Sequence, residues 1–171
     1  MHIRTATLAD WPGIRTFFYP IVSAGTTFTF PTDLAEPEGR DWWLLPEPAR
    51  TVVALDRDGT VLGSAKMNRN HGGNAAHIAS ASYMVDPAHE GKGVGRALCE
   101  DSLEWARSAG YRAMQFNAVV ESNTRALSLY RLLGFEIVGT LPDGFAHPEH
   151  GDVGLHILYR RLRPRGLVDR P

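Results

Sequence analysis

Residues 85–98 read VDPAHEGKGVGRAL. A β-rich run, HIASASYMV (77–85), precedes this stretch, and a helical pattern follows from about Gly93 to Ser108. Asp86-Pro87 ends the strand, and Gly91, Gly93 and Gly95 stand at the entrance to the helix. The first turn of a helix has free backbone N–H groups and the positive end of its dipole. Glycines let an anion approach that backbone closely, and Lys92 and Arg96 add charge. Gly91 to Arg96 therefore form a candidate pyrophosphate loop. A nucleoside-triphosphate loop needs Ser or Thr after its Gly-Lys pair, and Lys92 is followed by Gly93. In a dinucleotide fingerprint the third glycine would stand one place later than Gly95. A turn rich in glycine for steric reasons fits the loop alone equally well.

Working outward, HIRTAT (2–7) reads as a strand, and Thr7 or Asp10 caps a helix through WPGIRTFFYPIVSA (11–24), which Pro20 should kink or split. TTFTFPTD (26–33) looks extended, and PEGRDWWLL (37–45) helical. TVVALDRDGTVLGSAKM (51–67) is a hairpin turning at Asp58-Gly59, with a loop at 68–74 after it. Past the central helix, YRAMQFNAVV (111–120) is a strand, and Ser122 or Asn123 caps a helix to Leu133. FEIVGTL (135–141) and VGLHILYRRL (153–162) are the last strands. The order β-α-α-β-β-β-α-β-α-β-β predicts a mixed sheet with helices on both faces, in one α/β (α+β) domain over 1–162. Residues 163–171 read as a tail.

The chain has 171 residues and 43% hydrophobic content, enough for one domain with a true core. Its net charge of -1 argues against a general nucleic-acid partner. Cys99 is the only cysteine, so no internal disulfide forms, which fits a reducing cytoplasm. Arg4, Asp10 and Pro12 interrupt any signal-like start, and no stretch approaches a membrane span.

A second motif lies downstream. Asn123 opens NTRALSLYRLLGFEIVG, with Tyr130 seven residues on and a closing Gly-Phe. With this motif in place the chain resembles the GCN5-related N-acetyltransferases (GNAT). Their loop signature is Gln or Arg, two residues, Gly, one residue, then Gly or Ala. Here it reads Glu90-Gly91-Lys92-Gly93-Val94-Gly95, with Glu90 departing from the pattern. TTFTFP, MQFNAVVESNTRAL and GTLPDGFAHPEHGDVGLHILYRRL are similar to the branch acetylating azetidine-2-carboxylate and proline-type imino acids.

The resemblance implies a sheet of about seven strands whose central pair splays apart, acetyl-CoA as cofactor, a small-molecule amine as acceptor, and a homodimer. It implies that Tyr83, Met84 and Val85 pair with the pantetheine arm and offer N–H groups to the thioester oxygen. Gly91, Lys92, Gly93, Val94, Gly95, Arg96 and Asn123 would hold the coenzyme, and Tyr130 would protonate the departing thiolate. By spacing alone Tyr130 reads as core, among Ala126, Leu127, Leu129, Leu132 and Leu133. Asn117 is a poor strand former within a strand, which marks it as a substrate contact or an edge residue satisfied by hydrogen bonds. The branch carries a second asparagine where this chain has Ser80.

The acceptor pocket is expected from Thr27, Phe28 and Phe30, Trp42 and Trp43, and the loop 143–152. His147, Glu149, His150 and Asp152 have irregular spacing, which favours a structured loop over a metal site. No carboxylate stands out as the base; Glu121, His77 or a water relayed by Asn117 and Ser80 are the options. Acetylation of an amino or imino acid leads. A phosphinothricin-type acceptor, a protein amine and a non-catalytic acyl-CoA sensor are the alternatives.

Overall fold

In the computed structural model, residues 1–162 are described. The elements are β1 (His2–Thr5), α1 (Trp11–Ser23), α2 (Glu36–Trp43), β2 (Arg50–Leu55), β3 (Val61–Arg69), β4 (Ile78–Val85), α3 (Val94–Ser108), β5 (Ala113–Val120), α4 (Thr124–Leu132), β6 (Glu136–His147) and β7 (Gly151–Arg161). The order of helices and strands is the expected one. The tail expected at 163–171 lies outside the described residues.

The strands form one seven-stranded sheet in the order β1-β2-β3-β4-β5-β7-β6. Neighbours run antiparallel except β4 and β5, which are parallel and paired only at Ile78↔Ala113 and Ala79↔Met114. Beyond those two residues the strands part, as a splayed central pair requires. A bulge in β5 between Phe116 and Val119 helps turn it away.

Each face buries its own core. On one face Leu98, Cys99, Leu103 and Ala106 of α3 and Leu127 of α4 pack on Ala79, Ala81, Met114 and Phe116. On the other, Ile14, Phe17 and Phe18 of α1 gather around Trp43 and Met84. The alternation of β4 therefore serves two helical layers at once. Asp10, at the head of α1, takes both guanidinium nitrogens of Arg4 at 2.6 and 2.8 Å and the N–H of Thr7 at 2.7 Å. These bonds, Arg4 foremost, hold its carboxyl down at about 2.

Three local expectations change. Pro20 does not split α1, because it sits in the final turn, where a missing N–H removes only one bond near the fraying end. Residues 26–33 are irregular, pinned by aromatic contacts such as Phe28–Phe30 and Phe30–Trp42 in place of a strand ladder. The loop expected at 143–152 is mostly strand: β6 runs on to His147, paired Phe145↔Val153 and His147↔Gly151, with Asp143 at a φ of 54° absorbing an irregularity.

Candidate active site

The fork between β4 and β5 opens a cleft of about 740 Å³, walled by the 26–30 loop, β4, the glycine loop, β5 and α4. Its β4 wall follows from strand alternation. The Asp86 N–H donates to Leu62 on β3, so Met84 also faces β3, and its carbonyl lies against Gly63. The N–H groups of Ala81, Tyr83 and Val85 consequently point into the fork. Of the three residues expected to pair with a pantetheine arm, Tyr83 and Val85 offer the cleft an N–H and Met84 does not.

The glycine loop adopts the anion-binding geometry its spacing suggests. Gly91 and Gly93 have φ of 75° and 81°, and a Cβ at either position would project into open space. Gly93 is the N-cap of α3, so the first N–H groups of that helix head the cleft. Gly91, Gly93, Val94, Gly95 and Arg96 all line it. Lys92 does not: between two left-handed glycines it turns outward, and its Nζ donates to Nδ1 of His89 at 3.2 Å. Glu90 is the sole carboxylate on the described cleft wall, and it is ion-paired with Arg125 of α4.

The second motif meets the first across the cleft. Asn123 caps α4, its Oδ1 accepting from the Ala126 N–H at 3.2 Å, while its Nδ2 has no partner among the described residues. Tyr130 lies two turns further on, half-buried against Phe116, with ring centroids 4.7 Å apart. Its hydroxyl bonds to no described residue, and burial pushes the phenol above its usual range, keeping it protonated. Tyr83 differs. Ser102 gives its hydroxyl proton to the Cys99 carbonyl, so the Tyr83 hydroxyl donates to Ser102, at 2.6 Å, and is committed to the core.

At the other end the cleft is walled by Thr27, Phe28, Phe30, Ser80, Ser82 and Asn117. Asn117 exchanges amide hydrogen bonds with Asn70, at 2.7 and 3.1 Å, and accepts a third from Gln115 at 2.8 Å. Trp43 is not on the wall: it is fully buried and donates to Ser64 at 2.8 Å. Trp42 braces Phe30 from behind. Lys66 completes this backing. Its Nζ donates to the Trp42 carbonyl at 2.7 Å and lies 5.0 Å from the Phe30 ring centre, and burial lowers it to about 8. Glu121 is tied away, accepting from the Gly154 N–H at 3.0 Å.

A smaller cavity of about 240 Å³ adjoins the cleft, sharing Thr26, Thr27 and Asn123 with it. Its far side is the β6–β7 tip, where His147 and His150 stack 4.4 Å apart beside Glu149. The first loop and the last hairpin thus meet in this smaller cavity, while none of residues 143–152, expected in the acceptor pocket, lines the cleft itself. Sequence reasoning missed Asn70 and Arg125. Only Arg125 carries a local signal: a cation in the first turn of a helix opposes the dipole.

A forked sheet with a helix N-terminus at its mouth and backbone donors along one prong defines an acyl-coenzyme A-dependent transferase fold. The chain belongs to the acetyltransferase (GNAT) family, whose match spans residues 15–135. It is 33% identical over 147 residues to the L-methionine sulfoximine/L-methionine sulfone acetyltransferase of Pseudomonas aeruginosa, covering 82% of this chain and 83% of that one. It is 30% identical over 98 residues to N-acetyltransferase aca1 of Schizosaccharomyces pombe, covering 57% of this chain and about half, 47%, of that longer protein. Among solved structures it resembles a GCN5-related N-acetyltransferase from Kribbella flavida, with 53% identity, a TM-score of 0.91, and 94% and 97% of the two chains covered. A phosphinothricin acetyltransferase from Sinorhizobium meliloti, solved in complex with acetyl-CoA, is 25% identical with a TM-score of 0.83, covering 99% and 92%. The protein is an N-acetyltransferase and its cofactor is acetyl-CoA.

Proposed function

We propose that this enzyme acetylates the amine of a small amino or imino acid by direct attack on the acetyl-CoA thioester. The observation that carries this reading is the makeup of the acceptor end, where the rings of Phe28 and Phe30 share the cleft wall with the small polar side chains of Ser80, Ser82 and Asn117. A few polar groups set among aromatic rings suit a compact polar molecule. The Pseudomonas relative, named for methionine sulfoximine and methionine sulfone, supports the same class.

Roles follow from the geometry. The glycine loop and the start of α3 hold the coenzyme phosphates. Val85 or Tyr83 N–H donates to the thioester oxygen as it gains charge. Tyr130, protonated and with no hydrogen-bond partner among the described residues, donates to the departing thiolate. Direct attack fits better than a thioester on the enzyme, because Cys99 is buried and its thiol is pushed up to about 11 by burial. The described residues walling the acceptor end carry hydroxyls and amides but no carboxylate or imidazole. The attacking amine therefore arrives neutral, and the proton it sheds as the amide forms passes to a water held by Ser80 and Asn117. This balances the proton that Tyr130 gives to the thiolate and that solvent returns to Tyr130. A single catalytic domain over 1–162, a homodimer and a cytoplasmic location complete the reading.

The test is release of free thiol from acetyl-CoA with a panel of amino acids, imino acids, phosphinothricin, polyamines and peptides. Turnover is expected with one of the small amino or imino acids. Turnover only on a peptide, or coenzyme binding with no turnover on any acceptor, overturns it.

A further inference from the structure

We infer that Arg125 is a coenzyme-phosphate ligand held in reserve by Glu90, so that Glu90 competes with the coenzyme for it and sets how tightly acetyl-CoA binds. Five observations converge. Both side chains line the coenzyme end of the cleft, on opposite walls, and they are ion-paired across it. Arg125 stands in the first turn of α4 and Arg96 in the first turn of α3, and neither turn contains an acid. Each helix thus places a cation at its own positive end, which opposes the dipole unless an anion is expected between them. Glu90 is the one carboxylate on the described cleft wall, where it would repel a phosphate if left unpaired. The other cations near the loop are engaged elsewhere, Arg96 with Glu100 at 2.8 Å and Lys92 with His89. Both members of the Glu90–Arg125 pair are about half or more exposed, at 49% and 61%, so the pair costs little to open.

When a phosphate enters, Arg125 exchanges the carboxylate for a doubly hydrogen-bonded phosphate, a match its planar guanidinium makes well. Glu90 then acts as a brake: it keeps the empty site neutral and lowers affinity for the coenzyme, which favours release of the product form.

Titration calorimetry with coenzyme A, on wild type, Glu90→Gln, Arg125→Ala and the double variant, tests this at low and moderate salt. Glu90→Gln is expected to tighten binding about 3–10-fold, and Arg125→Ala to weaken it about 10-fold or more. In the Arg125→Ala background there is no pair left to break, so Glu90→Gln should gain less than it does in wild type. Arg125→Gln is a second variant should Arg125→Ala fold poorly. Weaker binding by Glu90→Gln, or affinity within about twofold of wild type for both Arg125 variants, overturns the proposal. Because the readout is coenzyme binding, it is independent of which amine is the acceptor.

Discussion

At the coenzyme end of the cleft the working groups are mostly backbone: N–H groups of Tyr83 and Val85, a left-handed loop at Gly91 and Gly93, and two helix N-termini. At the proposed acceptor end they are side chains drawn from parts of the chain far apart in sequence: Phe28 and Phe30, Ser80 and Ser82, and Asn117 held by Asn70. Backbone sites demand particular residue types at fixed spacing, because only glycine adopts positive φ at no cost and only a short polar side chain caps a helix. Side-chain sites demand only that the right groups meet, and many sequences achieve that. One end should therefore be rigid, shared and fragile to substitution, and the other adjustable.

The sharpest way to break that contrast is at two glycines with nearly equal backbone angles. Gly93 has φ 81° at the head of α3, and Gly59 has φ 86° in the β2–β3 turn. At neither would a Cβ touch the protein. Valine at either costs about 1–2 kcal/mol of strain, so both variants should lose similar stability. Only Gly93→Val places methyl groups where an anion would sit, and it should weaken coenzyme binding by about 100-fold or more. Equal coenzyme affinity in the two variants would remove the loop from the site.

Tyr130→Phe comes next. The lost hydroxyl has no bond to a described residue, so thermal stability should stay near that of wild type, while kcat falls about 10–100-fold. Tyr83→Phe is the contrasting change: it breaks the bond to Ser102 and should lower stability with little effect on kcat. Reversal of that pattern would exchange the roles of the two phenols.

The same contrast explains what could be read in advance. The element order, the glycine loop and the Asn123 cap were legible because each rests on local chemistry. Tyr130 was legible only through resemblance, since its helix is apolar on most sides. β6 was read short because its continuation contains Pro142, Asp143 and Gly144, turn-forming residues that pairing with β7 overrides. Trp43 was misplaced to the pocket because an indole reads alike on a pocket wall and in a core. Asn117 stood out as a polar residue in a strand, but its partner Asn70 had no signal, as the bond joins residues 47 apart.

Asn70 provides a smaller effect at the acceptor end. Its two amide bonds hold Asn117 on the cleft wall, and bonds of this kind contribute about 0.5–1.5 kcal/mol each. Asn70→Ala should raise the KM of the acceptor about 3–10-fold and leave the KM of acetyl-CoA unchanged. An effect on both, or on acetyl-CoA alone, would place Asn70 outside the acceptor end.

Lys66 yields the smallest effect, and it tests whether the acceptor wall carries strain that the coenzyme end lacks. Burial among Phe30 and Trp43, with the Trp42 carbonyl as its hydrogen-bond acceptor and no acid paired with it among the described residues, lowers the ammonium from 10.5 to about 8. The folded protein therefore sheds this proton at lower pH than the unfolded chain. Between about 8 and 10.5 the unfolded chain binds more protons, so this group makes stability rise with pH across that window. Below pH 8 the charged lysine weakens the fold, an effect under about 1 kcal/mol once solvent screening is counted. Lys66→Met should abolish the rise while leaving coenzyme affinity unaltered. The measurement is the urea midpoint from pH 7 to 10 in both proteins. Parallel curves would mean that Lys66 is solvated in the folded state, and that the aromatic wall is held by packing alone.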